Sequence, residues 1–313
     1  MIVDEFLFSC KCLENCWGGC YHYLEPWIGC EHNCVYCFAR HKSEVVSILG
    51  QCNSSFESPT VFIEPTSLTK QIHEYLLKGE VKTLKLSRFT DFFTPKFVSS
   101  GLSHEILRVI CESRVERAII TTKGVPDERI ISLMKRYRHK ISFNMAIRPF
   151  ASKEIEPNVP SIFERVEAAS QVHQEGIQTT IHMDPLIIGF DDQPESLAEF
   201  LVLLKSKSLE RIMFSFLLLT EEIVENIRRI VGSSFADEII SNYDLSKMRG
   251  ISTTQTELAY FTLHPEILTR SANNLAAILR ELNFQYALCA LKNKGYLSDL
   301  CSKTSICRGD FYA

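Results

Sequence analysis

At 313 residues, 45% apolar and 23% charged, the chain can bury a full core, as one large α/β domain or two small ones. Its 34 lysines and arginines against 38 aspartates and glutamates leave a formal charge of −4. That balance excludes a global positive field for nucleic acid or anionic lipid, so a nucleic-acid substrate would need a local basic patch. The start of the chain carries no positive n-region, and no window reaches about 18 uncharged apolar residues; a cytoplasmic protein without a membrane partner is expected.

In chain order, cysteine is the first signal. Seven of the twelve cysteines lie at positions 10, 12, 16, 20, 30, 34 and 37. Cys289, Cys301 and Cys307 fall near the other end, while Cys52 and Cys111 stand alone. Dense terminal groups in a reducing compartment favour metal or cluster binding over disulfides. A strand is expected over Tyr21–Ile28, directly before Gly29-Cys30-Glu31-His32-Asn33-Cys34-Val35-Tyr36-Cys37. Three thiolates on one loop suit a cuboidal iron-sulfur cluster, because each thiolate holds one iron and a trio leaves one iron free. Zinc and chance spacing are the other readings. Structural zinc takes four ligands as spaced pairs, and only one such pair, Cys34 and Cys37, is present.

Beyond the cysteines, strand-like runs recur at Val81–Leu86, Arg117–Thr122, Lys140–Ile147, Gln178–Met183 and Arg211–Leu219. Helical patterns lie between them, so a parallel sheet is expected. A helix over Leu102–Glu112 would bury Ile106, Val109 and Ile110. Ser161 and Glu164 form a capping-box pair ahead of the stripe Ile162, Val166, Ala169 and Val172, and Gly176 can end that helix. Pro265–Leu282 repeats Leu268, Ala272, Leu275, Leu279 and Leu282 at helical spacing, whereas Gly232–Thr262 is polar and weakly patterned. Strand starts about 25 to 35 residues apart match successive βα units of a barrel or an open doubly wound sheet. Polar residues cluster where the strands run out: Thr90 and Asp91, Thr122 and Lys123, His182 and Asp184, and Ser215. In barrels those ends build the active site. Ser142 and Asn144 are two apart on one strand and share a face. The basic run Lys135–Lys140 reads as a solvated turn at the opposite end, with phosphate contact as the other use.

From about Tyr23 to Phe216 the chain resembles the radical S-adenosylmethionine (SAM) superfamily, and within it the group around spore photoproduct lyase. Cys30, Cys34 and Cys37 match the family's cluster ligands, and Tyr36 its usual aromatic. The resemblance implies a 4Fe-4S cluster whose free iron is chelated by SAM. One electron would break a carbon-sulfur bond, giving methionine and a 5'-deoxyadenosyl radical; transfer of an aminocarboxypropyl group is the less usual outcome. Thr90-Asp91 resembles the group's Ser-Asp pair at the methionyl end of the cofactor, where a carboxylate can meet an ammonium. Lys123 resembles its Thr-Lys lysine, whose charge can meet the cofactor carboxylate. Ser142-Phe143-Asn144 is similar to its Ser-x-Asn, used for ribose and methionyl groups. Glu156-Pro157, Ser161, Arg165 and Gly176 follow the group's pattern onward. Asp91 as a turn residue, Lys123 as a solvated loop charge and Asn144 as a core amide are the plainer readings.

Two positions depart from that group. Arg88 stands where the lyases carry the cysteine that returns hydrogen to the product radical, and Phe38 where they carry a tyrosine. Arg88 is therefore a candidate for binding an anionic substrate group, with a structural salt bridge as its alternative. His182 and Asp184 are placed for substrate, with a strand-capping core histidine as the alternative for His182. Cys289, Cys301 and Cys307 have little packing reason to lie in a tail rich in Lys, Asn, Gly and Ser. An auxiliary iron-sulfur cluster is their simplest use, with Cys10, Cys12, Cys16 or Cys20 as a fourth ligand; zinc and free thiols remain open.

The expected architecture is α/β: a partial (β/α)6 TIM-like barrel over 23–220, preceded by a cysteine-rich segment over 1–22 and followed by a helical region over 221–313. The expected function is an oxygen-sensitive radical SAM enzyme, a lyase or transferase fed by a reductant such as flavodoxin or ferredoxin. A small metabolite, natural-product precursor or peptide is the favoured substrate. A nucleic-acid base, and a non-catalytic zinc or iron-sulfur protein, are the alternatives.

Overall fold

The computed structural model describes residues 6–13, 19–150, 152–251 and 258–288. Cys16, Cys289, Cys301 and Cys307 lie outside the described residues, and the expected auxiliary site with them. The chain opens with β1 (Phe8–Leu13) and β2 (Gly19–Leu24), a 3-10 turn (Phe38–His41), α1 (Ser43–Gln51) and α2 (Pro65–Leu77). It continues through β3 (Thr83–Leu86), α3 (Pro95–Ser99), α4 (Leu102–Glu112), β4 (Arg117–Thr122), α5 (Glu128–Arg136), β5 (Ile141–Ala146) and α6 (Ile162–Gln174). Then follow β6 (Gln178–Leu186), α7 (Pro194–Ser206), β7 (Arg211–Phe216), α8 (Glu221–Ile230) and α9 (Ser233–Ile240). Last come β8 (Tyr243–Ile251), β9 (Leu258–Leu263), α10 (Pro265–Glu281) and β10 (Gln285–Leu288).

Eight strands form one sheet in the order β1-β2-β3-β4-β5-β6-β7-β10, and β8 pairs with β9 in a separate antiparallel ribbon. The pairs β2/β3, β3/β4, β4/β5, β6/β7 and β7/β10 are parallel. Parallel neighbours need crossovers, which is why helices alternate with the strands. All six residues of β5 are buried, as expected of a strand covered on both faces. Among the described residues, no helix is long and apolar enough to cross a membrane.

The described chain divides into two compact units. The first holds residues within 6–12, 20–145 and 157–179; the second holds residues within 13–19, 146–156 and 180–288. In the first, α4 buries Ile106, Val109 and Ile110 as its pattern predicts. Ser161 caps α6 reciprocally: its hydroxyl accepts the Glu164 N–H at 3.2 Å, and Glu164 accepts the Ser161 N–H at 2.7 Å. In the second, Pro194 and Pro265 stand in the first turns of α7 and α10, where a missing N–H costs nothing.

Several expected boundaries shift. The strand expected over Tyr21–Ile28 runs instead from Gly19 to Leu24, because Pro26 has no N–H for a ladder and the Glu25 N–H goes to Leu7 O. Ile28 then pairs with Thr60 as an isolated antiparallel bridge. Strand β6 extends past Met183 to Leu186, through a cis Asp184–Pro185 bond. The weakly patterned Gly232–Thr262 contains α9 and much of the β8/β9 ribbon. Its anchors are non-local: Ala236, Ile239, Tyr243, Tyr260 and Phe261 are buried, and the Tyr243 hydroxyl donates to Leu217 O at 2.7 Å. Anchors that depend on distant partners leave little local periodicity to read.

The capping box yields a test. Ser161→Ala should lower unfolding free energy by about 1 kcal/mol. Phe163→Ala on the same helix, at a side chain 62% exposed, should stay within about 0.5 kcal/mol. Urea midpoints at constant m-value would check both.

Candidate functional site

The cysteine loop spans Gly29–Cys37, between the Ile28–Thr60 bridge and the 3-10 turn. Gly29 has φ +86°, and a Cβ there would meet Phe56 O at 2.6 Å, so only glycine fits. The Cys30 N–H donates to the same Phe56 O at 2.7 Å, and the Thr90 hydroxyl donates to Gly29 O. Asn33 takes a left-handed φ of 54°, which asparagine tolerates. Its Oδ1 accepts from Arg40 Nη2 at 2.5 Å, while Arg40 Nη1 reaches Glu57 at 3.1 Å and the guanidinium lies over Phe56. Asn158 Nδ2 donates to Glu31 O at 2.9 Å, and Asn158 N–H donates to His32 O at 3.3 Å. The Glu31 carboxylate accepts the Thr94 hydroxyl at 2.7 Å and the Lys96 N–H at 2.8 Å. A loop without regular structure thus has its polar groups met from four separate segments.

The thiols sit together on this scaffold. Cys34 is 7% exposed; Cys30 and Cys37 are partly exposed as residues. Packing around its sulfur pushes the Cys30 thiol well above its ordinary pKa, and Asp91, Cys34 and Cys37 are close enough to add to that shift. The His32 N–H hydrogen-bonds the Cys30 thiol and opposes it. Among the described residues, no three His, Cys, Asp or Glu side chains converge to hold a single metal ion.

Asp91 is 6% exposed and lies in the turn between β3 and α3. Its Oδ1 accepts the Phe93 N–H at 2.8 Å and the Thr122 hydroxyl at 2.5 Å. Its Oδ2 accepts the Lys123 N–H at 2.6 Å and the Gly124 N–H at 3.4 Å, and stands 3.1 Å from His32 Nε2. Burial raises this carboxyl, but His32, Thr122 and the Lys123 N–H outweigh it and hold the pKa at about 2. Gly124 is fixed as glycine, since a Cβ would fall 1.9 Å from Phe93 O.

Other expected site residues fall nearby in the same unit. The Lys123 ammonium lies over the Tyr36 ring, 5.5 Å from its centroid. Asn144 is paired in register with Thr121 and donates to its hydroxyl at 3.2 Å; Asn144 Oδ1 is buried without a hydrogen-bond partner among the described residues. Ser142 is buried two positions earlier on β5. The Arg88 guanidinium stacks 3.9 Å from the Phe89 centroid and 5.4 Å from that of Tyr23.

Beneath Arg88 lies Glu25, which no pattern in the sequence marks. It is 2% exposed, accepts the Arg88 N–H at 2.5 Å and the Phe89 N–H at 3.2 Å, and feels the Arg88 charge. Burial nevertheless wins and pushes its carboxyl up to about 7. Glu31, His32, Arg40 and Asn158 also escape a reading of spacing alone; their type between and beside the cysteines is the one hint the sequence carries.

In the second unit, His182 Nε2 and Asp184 Oδ2 are 3.6 Å apart, each side chain 12% exposed. Met213 is in register with His182, which puts Ser215 on the same face of the adjacent strand. Ser215 Oγ is buried without a hydrogen-bond partner among the described residues. Arg148 and Asp191 form a buried ion pair at 3.0 Å, and Asp191 also accepts the Ile187 N–H at 2.6 Å.

No family model matches the chain. Over 172 residues, 54% of its length, it is 26% identical to an uncharacterized protein of Methanocaldococcus jannaschii, and the match covers 61% of that relative. In structure it is similar to a spore photoproduct lyase complexed with dinucleoside spore photoproduct, with a TM-score of 0.59 and 15% identity over 85% of this chain and 75% of the other. A lyase mutant with bound AdoMet and the same dinucleoside gives a TM-score of 0.59 and 16% identity over 84% and 74%. The chain therefore has a radical SAM fold, a partial TIM-like α/β sheet. Within that class, its fold is like that of spore photoproduct lyase.

Two tests follow from the buried groups. Folded Glu25 keeps its proton up to about pH 7, whereas the unfolded carboxyl releases it near 4.5. Its contribution is therefore most favourable below about pH 4.5 and falls as pH rises to about 7, by on the order of 3 kcal/mol. The stability difference between wild type and Glu25→Gln, from urea titrations, should show that decline; a flat difference would refute it. Gly124→Ala should cost more than about 3 kcal/mol, read as a lowered thermal midpoint of the metal-free chain.

Proposed function

We propose that this chain is a radical SAM enzyme in which Cys30, Cys34 and Cys37 hold a 4Fe-4S cluster. The observation that carries the reading is one rigidly braced loop bearing three adjacent thiols on a radical SAM fold. The donor set fits: a cuboidal cluster takes each thiolate on a different iron, so the three sulfurs need not converge on one point. With SAM bound at the remaining iron, the group would supply an organic radical by reductive cleavage of a carbon-sulfur bond.

The chain's own residues would bind and orient. Lys123, held over Tyr36 on the cysteine loop, offers a point charge for the cofactor carboxylate. Asn144 Oδ1 offers a buried acceptor, which favours an incoming N–H or O–H over a dry void. Ser142 lies on the same strand face, and Thr90 holds the loop through Gly29 O. His182 and Asp184 are proposed for the substrate, and Cys289, Cys301 and Cys307 for an auxiliary cluster. Arg88, stacked on Phe89, stands where the lyase group carries a hydrogen-donating thiol, so a substrate other than spore photoproduct is favoured: a small metabolite, natural-product precursor or peptide. Flavodoxin or ferredoxin would supply the electron.

Anaerobic reconstitution tests this reading. About four irons per chain are expected with one cluster and about eight with two. Dithionite with SAM should yield 5'-deoxyadenosine, or methylthioadenosine if the aminocarboxypropyl group is transferred. The combined alanine variant at Cys30, Cys34 and Cys37 should lose about four irons and all cleavage. A wild-type preparation without iron, or one that leaves SAM intact, would sink the proposal.

A further inference from the structure

Glu31 and His32, between the first two thiols, both dock into the segment that leaves β3. The Glu31 carboxylate meets the Thr94 hydroxyl and the Lys96 N–H, and His32 Nε2 stands 3.1 Å from Asp91. His32 is 1% exposed, and its other ring nitrogen lies 3.5 Å from Asn158 O. The His32 backbone N–H bonds the Cys30 thiol, so the residue that carries the ring also touches the first ligand of the trio.

Asp91 receives that ring with no acceptor capacity left over. A carboxylate has about four lone-pair sites, and here Phe93 N–H, the Thr122 hydroxyl, Lys123 N–H and Gly124 N–H address them, while His32 Nε2 lies 3.1 Å from Oδ2 as a close polar contact and not as a directed hydrogen bond. The Trp27 indole N–H fixes the residue's backbone by donating to the Asp91 main-chain O at 3.1 Å. The resemblance implies a carboxylate that meets the cofactor's ammonium directly. We infer instead that Asp91 is a positioning residue, a buried hub that ties the cysteine loop, through His32, to the exit of β4 at Thr122–Gly124.

Both ends of this hub are tight. The Thr122 hydroxyl also accepts the Gly124 N–H at 2.8 Å, and Gly124 admits no Cβ against Phe93 O. The two segments touch a second time where the Lys123 ammonium covers Tyr36. One carboxylate thereby sets both the thiols and the cation proposed for the cofactor carboxylate. The inference rests on the proposed function for its meaning, but its geometry does not require a cluster.

The test begins on the metal-free full chain, by amide hydrogen exchange at residues 30–37 and 122–124. His32→Phe keeps the ring volume and removes the polar contacts; His32→Gln restores a donor. Exchange should accelerate in both segments by about tenfold or more in His32→Phe, with α6 unchanged, and His32→Gln should recover most of the protection. In reconstituted protein, SAM affinity, read from its effect on the spectrum of the reduced cluster, should fall by about tenfold in both His32→Phe and Asp91→Asn. Equal exchange in wild type and His32→Phe would overturn the inference. So would an Asp91→Asn variant that loses SAM binding while His32→Phe keeps it, the signature of direct ligation. Because the exchange arm needs no iron, a failed reconstitution would count against the proposed function and leave this inference to stand or fall on exchange.

Discussion

The organisation of the first unit depends on where the Asp91 carboxylate finds its donors. A charge buried to 6% exposure is costly unless it is met on all sides, and here a ring, a hydroxyl and backbone N–H groups from three segments meet it. The held-down pKa states the same fact thermodynamically: the folded chain favours the ionised form despite burial. Removing any one donor leaves the others around a poorly compensated charge, so the segments behave as one unit.

The cysteine loop shows the complementary constraint. It has no helix or strand of its own, so its polar backbone has to be met by side chains and distant carbonyls. Asn158, Arg40, Thr90 and Phe56 O perform that task, and the glycine at position 29 permits the close approach. A loop braced in this way holds its thiols in place, which would limit the reorganisation needed to take up the proposed cluster.

Arg88 and Glu25 form a pair of their own: the buried Glu25 carboxyl accepts the N–H groups of Arg88 and Phe89. The pair also explains how an arginine is accommodated at a largely apolar strand end: its planar group stacks on Phe89 and Tyr23 while its charge is partly offset.

Much of the framework was legible in the residues themselves. Helix α4 matches its apolar stripe from end to end, the Ser161–Glu164 capping box starts α6, and β4 follows its run of β-branched residues, because each depends on neighbours within a few positions. The cysteine spacing likewise singled out the loop before any fold was known. What the sequence left open are the groups that meet Cys30, Asp91 and Glu25. Most of those partners lie 31 to 64 positions away, as with the Thr122 hydroxyl on Asp91 and the Phe89 N–H on Glu25. Many polar residues could satisfy each donor or acceptor equally well, and only the folded packing, by excluding water, decides which of them must.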